Sequence, residues 1–228
     1  MEMFMAEVTY EINQYEDCLE YLIPLMRNSS DVNIYKIKMW SNCYKQIINK
    51  KRSAWRHMLK QENCSDLSSY DWSIFNEYKL SISSDIKLTC NEIILFINDH
   101  LMGAIKNVDH KVLMYQICGD YHRYKAEVCN DKIKLYNHHK ALNEFKSGWM
   151  LCLKNTVSAV IILYFAVKYA ICLEFVHGPN KALSLIMKAL SLTNQNYSSI
   201  DEPINVMVDR VIIYKQTLIN KIDMNNVL

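Results

Sequence analysis

Residues 49–56 read NKKRSAWR and residues 119–128 read GDYHRYKAEV. The first is the densest basic segment of the chain, set in an apolar-periodic stretch that predicts a long helix from about 33 to 62. At about 100° per residue, Lys38, Lys45, Arg52 and Arg56 fall within one sector roughly 40° wide, so one face of that helix is strongly cationic. Such a face is either a solvated surface or an anion site. Like charges stacked at this spacing repel unless carboxylates or a bound anion neutralise them. In the second segment Arg123 and Glu127 stand four apart with Tyr124 beside them, which alone reads as an i,i+4 ion pair on an exposed helix.

The surrounding composition agrees with long helices. Four glycines and three prolines in 228 residues leave few turns, which argues against an all-β sandwich. Hydrophobic residues make up 50% and charged ones 22%, a globular balance. A net charge of +2 implies no global field for nucleic acid, so no nucleic-acid partner is expected. The cysteines at 18, 43, 64, 90, 118, 129, 152 and 172 form no CxxC pair. A zinc ribbon is therefore not expected, and the thiols read as small hydrophobes kept reduced in the cytoplasm. The opening MEMFMAEVTYE carries acids and no basic leader before a long apolar run, so no secretory signal is expected. Residues 157–176, VSAVIILYFAVKYAICLEFV, approach spanning length, but Lys168 and Glu174 interrupt them. They are expected to form an inner bundle helix, with no membrane partner.

Punctuation divides the chain into helices. Asn28-Ser29-Ser30-Asp31 predicts a loop in which Asp31 caps the long basic helix. A second break is expected from Asn63 to Ser69, followed by a long helix to about Leu101. Gly103, Asn107-Val108-Asp109, Asn130-Asp131, Asn155-Thr156, His177-Gly178-Pro179 and the polar run from Thr193 to Asp201 supply the remaining boundaries. The expectation is an all-α chain of about nine antiparallel helices, two of them of roughly 30 residues, forming one domain over 1–228.

NKKRSAWR after Tyr44-Lys45, together with GDYHRYKAEV, resembles the third- and fifth-helix signatures of the 14-3-3 proteins. Tyr15-Glu16-Asp17 resembles the start of that family's second helix and Cys90-Asn91-Glu92 its fourth. Leu173-Glu174, Pro179-Asn180-Lys181-Ala182 and Ser184-Leu185 resemble its seventh and eighth. The resemblance covers nearly the whole chain. It implies an amphipathic groove that binds phosphoserine or phosphothreonine segments of partner proteins. By that resemblance Lys45, Arg52 and Arg123 are phosphate ligands, Tyr124 donates its hydroxyl, Arg56 lines the same pocket, and Glu127 orients the arginines when the site is empty. Val167 and Glu174 belong to the same phosphopeptide-binding set. Guanidinium forks suit a phosphate of charge about −1.5 to −2 with three acceptor oxygens.

This chain also departs from the family pattern. Val167 stands where the family has an asparagine that holds the ligand backbone, and Gln116 where it has a lysine. Ala166 and Ala170 are small wall residues that suggest a wider channel, while Met207, Val208 and Val211 are expected to form an apolar wall. In one register of the last helix Lys215 replaces a second asparagine. The family's acidic composition and acidic tail are absent from a chain of net charge +2 that ends DMNNVL. Dimerisation, with itself or a related chain, is expected through Val8, Thr9, Ile12, Ala54 and Tyr78. Gln14 and Ser81 occupy the positions of two cross-dimer ion pairs.

Other chemistries have weaker support in the residues. A single Glu174-x-x-His177 falls short of a di-iron carboxylate site, which wants two such motifs. Cys118 with His122, and His138-His139, are isolated pairs and no metal is expected. No glycine-rich phosphate loop, GxSxG elbow or HExxH is present, so neither an enzyme nor a cofactor is expected. The functional expectation is a phosphate-dependent adaptor. The alternative is a scaffold of the same fold that binds partners without phosphate.

Overall fold

The computed structural model describes residues 1–28, 33–62, 68–196 and 202–227. The Asp31 cap, Cys64 with most of the break after the basic helix, and residues 197–201 of the later polar run lie outside the described residues. Among those described there are nine helices and no strand. They are α1 (Glu2–Glu11), α2 (Tyr15–Asn28), α3 (Ile34–Glu62), α4 (Ser69–Phe96), α5 (Val108–Glu127), α6 (Asp131–Lys154), α7 (Ala159–His177), α8 (Pro179–Asn196) and α9 (Glu202–Val227). α3 and α4 have 29 and 28 residues. The all-α architecture with two long helices is the one the sequence implies.

Two boundaries differ. α4 runs on through a π-helical turn at Ile97–Leu101 and a last turn at Met102–Ala104, so Gly103 lies inside the helix end instead of breaking it. Asn107 caps α5, its side-chain oxygen accepting from the His110 N–H at 3.1 Å, so Val108 and Asp109 are first-turn residues and not a turn.

The chain forms two compact units, Met1–Ile105 with Glu127–Asn130, and Lys106–Ala126 with Asp131–Leu228. In the first unit α1 packs on α2, α2 on α3 and α3 on α4. α3 buries Ile37, Trp40, Tyr44, Ile47, Ile48, Trp55 and Met58, whose recurrence at three, four and seven residues makes one apolar stripe. Trp40 is fully buried, edge-on to Tyr44 at 5.2 Å and tilted against Phe96 at 5.4 Å. Truncating it to alanine is expected to cost about 3–5 kcal/mol. Tyr44 also donates its hydroxyl to Glu92 at 2.6 Å, which fixes α3 against α4 and sets the rotation of the basic face.

In the second unit the core gathers Phe145, Trp149, Leu163, Phe165 and Ile186 from α6, α7 and α8. By length and composition α7 is long and apolar enough to cross a membrane. In this fold it buries Ala159, Ile162, Leu163, Phe165, Ala166, Ala170 and Cys172 and packs on α6, α8 and α9. Gly148 lets α6 approach closely, since a Cβ there would lie 2.5 Å from the Phe165 ring. α7 ends at Gly178, whose φ of +83° suits glycine, and Pro179 opens α8 at the first helical position.

Candidate functional site

The basic face of α3 meets one carboxylate. Arg52 is buried, with Nε donating to Glu127 Oε2 at 2.9 Å and Nη2 to Oε1 at 2.6 Å. Arg56, far more exposed, bridges both Glu127 oxygens from Nη2 at 3.0 and 3.2 Å. Glu127 is held in reach by its neighbours: Val128 is buried, and Ser83 of α4 donates to the Val128 carbonyl at 3.3 Å. Burial pushes the Glu127 carboxyl up, but the hydrogen bonds and charge of Arg52, with those of Arg56, outweigh it and hold the group below its ordinary value. Glu127 is therefore ionised at neutral pH, and two guanidinium groups share one carboxylate. Beside them opens a recess of about 350 Å³ lined by Asn49, Arg52, Ser53, Arg56, His57 and Lys60. Lys45 is exposed on the same helix and is not among the lining residues.

In the second unit, Arg123 Nη1 donates to Asp120 Oδ1 at 2.8 Å, and Lys168 Nζ lies 3.6 Å from Asp120 Oδ2. This corrects the i,i+4 reading of Arg123 with Glu127. The partner of Arg123 is one turn back on α5, while Glu127 serves α3. A smaller recess of about 290 Å³ is lined by Arg123, His138, Ile171, Glu174 and Phe175. Glu174 accepts from the Tyr214 hydroxyl at 2.7 Å and pairs with Lys221, tying α7 to α9. Burial opposes ionisation of Glu174, but Lys221 and Tyr214 outweigh it and hold the carboxyl below its ordinary value. Tyr124 is half-buried, edge-on to Tyr121 at 5.4 Å.

Several expected wall and interface residues lie elsewhere. Ala166, Ala170 and Val211 are fully buried in the core of the second unit, so they line no channel. Val167, Met207 and Val208 are half-buried against that core. Gln116 is buried, and its Oε1 has no hydrogen-bond partner among the described residues. Thr9 is also buried, its hydroxyl donating to the Met5 and Ala6 carbonyls at 2.8 and 3.1 Å, so it faces its own unit and not an interface. Ile12 and Tyr78 are exposed, and Val8 and Ala54 partly so.

Asn49, Ser53, His57 and Lys60 line the recess without belonging to the expected phosphate ligands. The signal was present as two adjacent rows with a spacing of four, 49-53-57 and 52-56-60, which lie side by side on a helix.

Comparison with known proteins addresses what this fold is used for. The family model described as 14-3-3 protein matches residues 5–218. The chain is similar to a 14-3-3 protein homolog of Trichoderma harzianum, 24% identical over 82% of this chain and 73% of that protein. It is also similar to the checkpoint signal transducer rad24 of Schizosaccharomyces pombe, 21% identical over 88% and 76%. A third relative is a 14-3-3 protein of Giardia intestinalis, 23% identical over 82% and 77%. With the family model spanning nearly its whole length, the chain belongs to the 14-3-3 family of partner-binding adaptor proteins.

Proposed function

We propose that this protein is a phosphoserine/phosphothreonine-dependent adaptor that acts by occupancy, masking or holding phosphorylated segments of partner proteins and catalysing no reaction. The observation that carries the reading is the sharing of Glu127 by Arg52 and Arg56 beside an open recess. The carboxylate fixes the guanidinium planes before any ligand arrives, so less side-chain freedom is lost on binding. It also leaves the trio with a surplus positive charge, which attracts a phosphate of about −1.5 to −2, with its three acceptor oxygens, more strongly than it attracts a carboxylate. Charge-assisted bonds to phosphate are short and strong, and Arg56, with its side chain 56% exposed, is accessible to a ligand.

The family resemblance adds Lys45, Arg123 and Tyr124 as phosphate ligands, and Val167 and Glu174 as residues along the partner segment. The same reading takes 1–228 as one functional domain, pairs two chains through α1, α3 and α4, and places the protein in the cytoplasm, where its free cysteines stay reduced.

The test is fluorescence anisotropy with a phosphoserine peptide and the Arg52→Ala/Arg123→Ala variant. Each lost charge-assisted contact is expected to cost about 1.5–3 kcal/mol, so affinity falls at least about tenfold. Unchanged affinity in the folded double variant refutes the assignment.

A further inference from the structure

The recess on α3 extends beyond the arginines that hold Glu127. Its far end is formed by His57 and Lys60, one turn closer to the helix C-terminus, with Ser53 and Asn49 along the side. Both His57 and Lys60 are exposed, and among the described residues neither forms an ion pair with a carboxylate. Among the described residues the carboxylate bonded to this cluster is Glu127, and it is already shared by Arg52 and Arg56. The His57 and Lys60 end of the recess is therefore left without a carboxylate partner, about one turn beyond the arginines that take the first anion.

We infer that His57 and Lys60 form a second anion subsite, which selects partner segments bearing another phosphorylated or acidic residue near the first. This rests on the phosphate-binding reading and names its partner class more narrowly. The spacing follows from helix geometry. From the middle of the Arg52–Arg56 pair to Lys60 is six positions, about 9 Å along the axis at 1.5 Å per residue. An extended segment rises about 3.3 Å per residue, so the second anion sits about three residues from the first. The carbonyl end of α3 carries a partial negative charge that opposes an anion there, equivalent to about half a unit. A lysine, with the imidazole beside it, outweighs that, and a second phosphate gains more from the subsite than a carboxylate does because it carries more charge.

The experiment measures anisotropy at low and high salt with labelled peptides of one sequence. One has no phosphate, one has a single phosphoserine, and two carry a second phosphoserine three residues before or after the first. The wild type is expected to prefer one doubly phosphorylated peptide over the singly phosphorylated one by about three- to tenfold, an advantage that shrinks with salt because the subsite is exposed. In His57→Gln/Lys60→Gln that preference disappears: the singly and doubly phosphorylated peptides bind alike, whatever the loss of recess charge does to both. In His57→Arg/Lys60→Arg the preference returns. Equal affinity of the wild type for singly and doubly phosphorylated peptides, or a preference that survives the Gln variant, overturns the subsite. Equal binding of the unphosphorylated and singly phosphorylated peptides instead overturns the phosphate reading itself, and the subsite falls with it.

Discussion

Replacing Glu127 by glutamine keeps the shape of the side chain and removes its charge, leaving the buried Arg52 facing a neutral amide. The two Arg52 contacts involve a guanidinium whose side chain is 11% exposed, against 56% for Arg56, so most of the loss comes from Arg52. A hydrogen bond to a charged group is worth about 1.5–3 kcal/mol, the exposed Arg56 pair adds at most about 1, and the amide oxygen of glutamine recovers part. A net destabilisation of about 2 kcal/mol follows. For a chain of this size each kcal/mol shifts the midpoint by about 2–4 °C, so Tm should fall by about 4–8 °C. The effect has a pH signature. Glu127 is held below its ordinary value near 4.5, so the unfolded chain binds the proton more readily. The stability it contributes is complete above that value and is lost as pH falls below it. Thermal denaturation followed by circular dichroism, at neutral pH and through the range below pH 4.5, checks both features. A double-mutant cycle with Arg52→Met should give a coupling of about 1–3 kcal/mol. A Tm unchanged at neutral pH together with coupling near zero would refute the claim that this pair organises the site.

Three further outcomes are expected. His122 is pushed down to about 4 by burial and then by the charges of Lys125 and Lys140, against an ordinary value of 6.5. Its contribution to stability is therefore complete above about pH 6.5 and declines toward pH 4 by a total of order 3 kcal/mol, and His122→Gln should flatten the denaturation free energy across that window. Val167→Asn should strengthen phosphopeptide binding by about 2- to 150-fold in calorimetry, because an amide offers a donor and an acceptor where valine has neither, and equal affinity would mean that the ligand backbone takes another path. The protein should sediment as a dimer with weak salt dependence, since Gln14 and Ser81 supply no cross-dimer ion pairs, and a strict monomer at tens of micromolar, on the order of common assay concentrations, would contradict this.

Much of the helical layout was legible because each signal is local. The apolar periodicity from about 33 to 62 marked α3, His177-Gly178-Pro179 marked the break before α8, and the basic row at Arg52 and Arg56 marked the face that carries the recess. What escaped depended on rotation about a helix axis or on contacts far along the chain. Ala166, Ala170 and Val211 are small or apolar residues, equally compatible with a wall and a core, and only packing decides which way each faces. Thr9 satisfies its hydroxyl on its own helix, so its polarity gave no sign of burial. The spacing of Arg123 and Glu127 permits an ion pair, but Glu127 is used by arginines more than seventy positions earlier in the sequence. Asn49, Ser53, His57 and Lys60 become one recess only when two neighbouring rows of α3 are taken together. Gly103 has the residue type of a break, yet the π turn before it carries the helix one turn further.

The most direct test of the central claim is calorimetry of the wild type against one partner peptide in two states, phosphorylated and unmodified, at the same salt and pH. The account predicts that phosphorylation tightens binding at least about a hundredfold, the worth of two or more charge-assisted contacts at about 1.5–3 kcal/mol each. Equal affinity for the two states, in a protein shown to be folded, would contradict it and leave partner binding without phosphate as the function of this fold.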